Sequence, residues 1–149
     1  MARDYVTIRE QVRDGQTAWT FNTVKHARLK SAPAKVTRRR NRYTIMGAAW
    51  GAPIAEVEVQ IDDGRWTAAD LDDHSFHKGG GRDRSGFAWR FWTLDWGKPA
   101  AGEHAIRSRA FDVDGNLQPA PNDPYLASKV TFWENNGQIA RRVRIPATS

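Results

Sequence analysis

From Tyr43 onward the apolar residues of this chain recur at every second position, a period that suits half-buried β-strands and excludes an amphipathic helix. In Ile54–Ile61, Ala55, Val57, Val59 and Ile61 alternate with Glu56, Glu58 and Gln60, so one face is apolar and the other wet. Ala105–Phe111 repeats the pattern, with Ile106 and Ala110 on one face and Arg107 and Arg109 on the other. Phe87–Trp96 is aromatic on both faces, Phe87, Trp89 and Phe91 against Trp92 and Leu94, and is expected to be covered on both sides. Turns punctuate these runs. Asp62-Asp63-Gly64-Arg65 reads as a hairpin in which Gly64 supplies the positive φ of a primed turn, and Asp112–Asn116 reads as a second. Lys129–Trp133 and Ile139–Ile145 are predicted as the last strands, joined through Asn135-Asn136-Gly137. The spacing of strands and turns predicts an all-β sandwich.

A chain of 149 residues suits a single core, and seven tryptophans and six phenylalanines give that core large, rigid pieces. Trp50, followed by Gly51, is expected to be its buried anchor. Ahead of the sandwich, Tyr5-Val6-Thr7-Ile8 alternates briefly and Arg13-Asp14-Gly15-Gln16 reads as a turn, so residues 1–23 form an appendage, 24–146 the sandwich and 147–149 a tail. Residues 72–86, with Gly79-Gly80-Gly81, form one long loop.

The formal charge of +6 is concentrated: residues 25–42 hold eight Lys or Arg and no carboxylate, while the other 15 cations face 17 acids. Arg38, Arg39, Arg40 and Arg42 lie at the centre of that segment. They could neutralise phosphates, or serve as a charged edge strand, or face an acidic partner domain. Nucleic acid is the less favoured partner, because the aromatics that bases would stack on are wanted in the core. Asp72, Asp73, His74 and His77 gather carboxylates and imidazoles within six residues, but the glycine-rich loop after them offers no rigid frame for a metal, and a polar loop is the preferred reading. Asp112-Val113-Asp114-Gly115-Asn116 lacks the glutamate of a calcium loop and reads as a hairpin turn. Ser31, Ser75, Ser85 and Ser108 have no Gly-x-Ser-x-Gly elbow, and His26, His74, His77 and His104 show no nucleophile–base spacing. With no cysteine, the chain has no thiol chemistry and no Cys-ligated metal. No apolar stretch is long enough to span a bilayer, and Met1-Ala2-Arg3-Asp4 opens no export signal, so the default expectation is a cytoplasmic, membrane-free chain.

Spaced through these strands are Tyr43, Gly47, Trp50-Gly51, Val57-Glu58-Val59, Asp63-Gly64-Arg65-Trp66, Gly102-Glu103, Arg109-Ala110-Phe111-Asp112 and Gly115-Asn116-Leu117-Gln118-Pro119. The set resembles the dimerisation domain of the molybdenum-cofactor oxidoreductases, the sulfite oxidase and eukaryotic nitrate reductase family, over roughly residues 24 to 146. The resemblance implies an immunoglobulin-like sandwich of about seven strands that follows a catalytic domain and packs against its own copy as a homodimer. Residues 1–23 then resemble the linker from the catalytic domain, and this chain a separate or truncated form. The resemblance places the molybdenum cofactor in that other domain, held by a cysteine and pterin, so this chain binds no cofactor and is not an enzyme alone. In the animal enzymes this domain lends an arginine to the anion pocket from a Trp-Asn-x-Arg-Gly stretch. Trp133-Glu134-Asn135-Asn136-Gly137 matches it here with Asn136 in the arginine's place, leaving Arg141 or Arg142 to reach inward by another route. The competing readings are a free-standing module that binds an anionic partner or nucleic acid through residues 25–42, and a hydrolase assembled from dispersed residues.

Overall fold

The computed structural model describes residues 6–23, 27–72, 89–127, 129 and 135–147. Ten strands account for most of them. Strands β1 (Val6–Arg13) and β2 (Gln16–Thr23) form a hairpin of their own. Strands β3 (Lys30–Arg39), β4 (Arg42–Trp50), β5 (Ile54–Ile61), β6 (Thr67–Ala68), β7 (Asp70–Leu71), β8 (Arg90–Gly97), β9 (Gly102–Asp112) and β10 (Ala140–Ile145) divide between two antiparallel sheets. One sheet has the order β3-β4-β8-β7 and the other β10-β9-β5-β6. Lettered in sequence order from β3, these are the ABED and GFCC′ sheets of an immunoglobulin-like sandwich. A single turn of helix, α1 (Pro124–Ala127), lies in the β9–β10 connection, where no helical period was legible. Of the expected strand Lys129–Trp133, only Lys129 is described, and it is not in a strand.

The core lies between the inner faces. Ile45, Ala49 and Trp92 from one sheet meet Val57, Val59, Ile106 and Ala110 from the other. Trp92 is 1% exposed and is the largest fully buried side chain among the described residues; burying a large apolar side chain stabilises by about 1.5–3 kcal/mol. Gly47 makes room for it, since a Cβ there would overlap the Trp92 ring and the carbonyl of Ala32.

Several expectations give way to geometry. Trp50 is only half-buried: it falls on the outer face of β4, stacked on Trp89, and Trp92 is the anchor instead. The strand around Phe91 is covered on one side only, with Phe91 and Trp89 in solvent. A bulge between Ile54 and Glu56 turns Ile54 inward and leaves Ala55 exposed, so the alternation of β5 holds only from Val57. In the β5–β6 turn the positive φ belongs to Asp62, at 53°, and not to Gly64.

Candidate functional site

The outer face of the β3-β4-β8-β7 sheet is apolar at one end. Pairing of Ala48 with Phe91 and of Met46 with Thr93 puts these four side chains on the same side, away from the Ile45, Ala49 and Trp92 that fill the core. Trp50 and Trp89 cap this end as a parallel stack with centroids 4.9 Å apart. Trp89 remains 60% exposed and Phe91 58% exposed. Aromatic rings clustered in water on a sheet face are suited to association, because Trp and Phe bury much area at small conformational cost. Lys35, opposite Met46, puts an exposed cation at its margin.

From Lys30 to Arg42 the basic segment is the β3–β4 hairpin, with β3 at the sheet edge; Arg28 precedes it and Lys25 lies outside the described residues. Arg40, at φ 55°, and Asn41 make the turn. Its cations are largely committed within the chain. Arg42 pairs with Asp95, and that hydrogen bond holds the Asp95 carboxyl below its usual range. Arg38 donates from Nε to the carbonyl of Arg40 at 2.8 Å and lies over the Tyr43 ring. Arg28 donates to the Tyr125 hydroxyl, and Lys30 reaches the carbonyl of Asn135 at 3.0 Å, its pKa lowered by burial. Arg39 and Arg40 project exposed at the tip. The residues thus split into separate local contacts, unlike the continuous stripe that tracks a phosphate backbone.

The remaining residues singled out in the sequence do not converge. Asp72 is engaged by Arg90, through Nε to its carboxylate at 3.2 Å and Nη2 to its carbonyl at 2.7 Å. Asp73, His74 and His77 lie outside the described residues, as do His26, Ser75, Ser85, Gly79–Gly81, Phe87, Trp133 and Glu134. No group of three metal-ligating side chains occurs among the described residues. Arg141 and Arg142 are exposed on the edge strand β10. Asp112 accepts hydrogen bonds from the N–H groups of Asp114 and Asn116 and from the Asn116 side chain, closing the turn as an Asx motif. Burial opposes its ionisation, but those three hydrogen bonds outweigh burial and hold its pKa below the usual value.

Asn136 sits in a buried polar network that sequence reasoning missed. Its Nδ2 donates to the carbonyl of Leu29 at 3.0 Å, and its own carbonyl accepts from Gln118 Nε2 at 3.0 Å. Gln118, fully buried, also accepts from the Ser31 N–H at 2.9 Å, while Gln138 Nε2 donates to the Gln118 carbonyl at 3.0 Å. The hydroxyls of Ser31 and Ser108 bond each other at 2.9 Å, and Trp92 Nε1 donates to Ser31 at 3.1 Å. The serine hydroxyls thus join β3 to β9, while the Ser31 N–H and the Asn136 Nδ2 tie the loops at Gln118 and Asn136 to β3 and to Leu29 just before it. Molybdenum in the expected family needs a thiolate, and this chain has no cysteine to give one and turns the Asn136 amide inward. These residues do not fit that cofactor. No helix among the described residues is long and apolar enough to cross a membrane.

Comparison with known proteins agrees with this architecture. The family model for the Mo-co oxidoreductase dimerisation domain matches residues 10–136. Among solved structures, the sulfane dehydrogenase SoxCD of Paracoccus pantotrophus superposes with a TM-score of 0.64 at 24% identity. That match covers 95% of this chain and 35% of the SoxCD chain, so the present chain spans about a third of its length. No curated protein sequence matches the chain.

Proposed function

The chain belongs to the Mo-co oxidoreductase dimerisation domain family, and from that premise we propose that it is a non-catalytic scaffold that pairs with a second copy of itself in a sulfite oxidase-type molybdoenzyme. The observation that carries this reading is the open aromatic face of Trp50, Trp89 and Phe91. The immunoglobulin-like core is complete without those three rings, so their exposure is not a packing necessity. In a closed twofold pair the same patch is used by both copies, and water leaves each ring once. The cofactor and the reaction belong to a catalytic domain, which the charged β3–β4 tip helps to orient, since charge complementarity governs encounter rate and specificity more than affinity.

The test substitutes Trp89→Ser and Phe91→Ser together and measures the dissociation constant of the pair. Both side chains are largely in solvent in the single chain, so the melting curve of a dilute sample is expected to change little. The dissociation constant is expected to rise by at least about tenfold, the scale of one central aromatic contact. An unaltered constant removes this face from the interface and with it the observation on which the reading stands.

A further inference from the structure

The β1–β2 hairpin forms a two-stranded sheet of its own and pairs with neither sheet of the sandwich. A two-stranded ribbon is at best marginal in water and needs a surface to lie on. Its register shows what kind of surface. Ile8 opposes Phe21, Glu10 opposes Trp19 and Val12 opposes Thr17, so one face carries Ile8, Val12, Trp19 and Phe21 around a single carboxylate. On that face Trp19 is 55% exposed and Phe21 68% exposed. Each chain thus holds two apolar faces, the ribbon's and that of Trp50, Trp89 and Phe91, which do not cover each other within the chain.

We infer that the ribbon is an exchanged arm: in the pair, the apolar face of each copy's β1–β2 hairpin lies on the aromatic sheet face of the other copy. This deepens the dimerisation reading and rests on it. Both faces are β-surfaces, and a sheet layered on a sheet is a standard packing for them. The sheet's face carries exposed Lys35 on its β3 side and exposed Asp70 on its β7 side, so Glu10 among the arm's apolar residues finds an opposite charge only toward β3, which fixes the direction in which the arm lies. The areas are of the right order. Trp19, Phe21, Trp89 and Phe91 are each more than half exposed, so two reciprocal contacts would bury about 1,000 Å² of aromatic residue surface, and the neighbouring Ile8, Val12 and Trp50 add to it toward the roughly 1,200 Å² at which stable interfaces begin. Reciprocal exchange of an arm closes on itself and leaves no free copy of either face to propagate.

The absence of cysteine gives a clean background for the test. Two chains of different tag mass are prepared, one with Thr17→Cys on the arm face and one with Thr93→Cys beside Phe91, then mixed and mildly oxidised. The expected product is a disulfide-linked pair containing one of each tag, in the same sample whose mass in solution is that of a dimer. A dimer that yields no mixed cross-link overturns arm exchange and leaves the dimerisation reading standing. A sample that remains monomeric overturns both. In a second arm, Trp19→Ser with Phe21→Ser is expected to weaken pairing by at least about tenfold, since each ring is replaced by a polar stub. An unchanged dissociation constant with an unchanged sandwich unfolding curve also overturns the exchange.

Discussion

Gln118 shows how much one polar side chain can hold in place. Fully buried, it uses Oε1 on the Ser31 N–H and Nε2 on the Asn136 carbonyl, joining β3 to its own loop and to that of Asn136. Gln118→Leu keeps the approximate volume but strands one buried donor and one buried acceptor. Unmade buried hydrogen bonds cost about 1–3 kcal/mol each, so the variant is expected to lose about 3 kcal/mol in urea unfolding. A loss below about 1 kcal/mol would mean that water replaces the side chain at both groups. The run Gly115-Asn116-Leu117-Gln118-Pro119 is conspicuous in the sequence, but this role is not, because Ser31 lies 87 residues away and nothing local marks the pair. Trp50 and Trp92 teach the same lesson: both are tryptophans in strands, and only the register of β4 against β8 decides which one is inside.

At the scale of elements, the β5–β6 turn is tied to β9 by a titratable clasp. Asp62 accepts from the Ala105 N–H at 2.8 Å and faces His104 Nδ1 at 2.9 Å, while His104 Nε2 faces the carbonyl of Ala100 at 3.0 Å. Both ring nitrogens meet acceptors, an arrangement that only the imidazolium satisfies fully, and the Trp96 ring lies edge-on at 5.0 Å. The Asp62 hydrogen bond, followed by that of Ala100, raises the His104 pKa above 6.5; the Ala105 hydrogen bond, followed by that of His104, lowers the Asp62 pKa below 3.8. A raised histidine stabilises fully below its unfolded pKa and loses that contribution as pH climbs through the folded value. A lowered carboxyl stabilises above its unfolded pKa and loses it as pH falls through the folded value. The clasp is therefore strongest between 3.8 and 6.5 and weakens on both sides. Unfolding free energies at pH 5.5 and 8.5 are expected to differ in favour of the lower pH, and His104→Ala is expected to remove most of that difference. Equal stability of the unmodified chain at the two pH values would contradict the clasp. The alternation of β9 was legible, with Ile106 and Ala110 inward, because no bulge interrupts it. In β5 the bulge shifts one residue, and in the turn a non-glycine takes the left-handed conformation expected of Gly64. Bulges and such turns depend on the partner strand, which the local sequence does not contain.

For the whole molecule, the family and the fold class were legible because they rest on the spacing of residues that the fold uses, even where the use of each one was not. Gly47 admits Trp92, Asp112 locks a turn, and Gln118 ties two loops. The exposed aromatic face was only half legible. Phe87–Trp96 is visibly over-rich in aromatics, but their division between Trp92 in the core and Trp89 and Phe91 in solvent requires the assembled sandwich. The central claim, that the chain is a scaffold which pairs with its own copy, is tested most directly by sedimentation equilibrium across a range of protein and salt concentrations. The account predicts a twofold mass that persists in high salt, since the contact is apolar and screening acts only on its charged margin. A mass of one chain of 16.9 kDa at every concentration would contradict it.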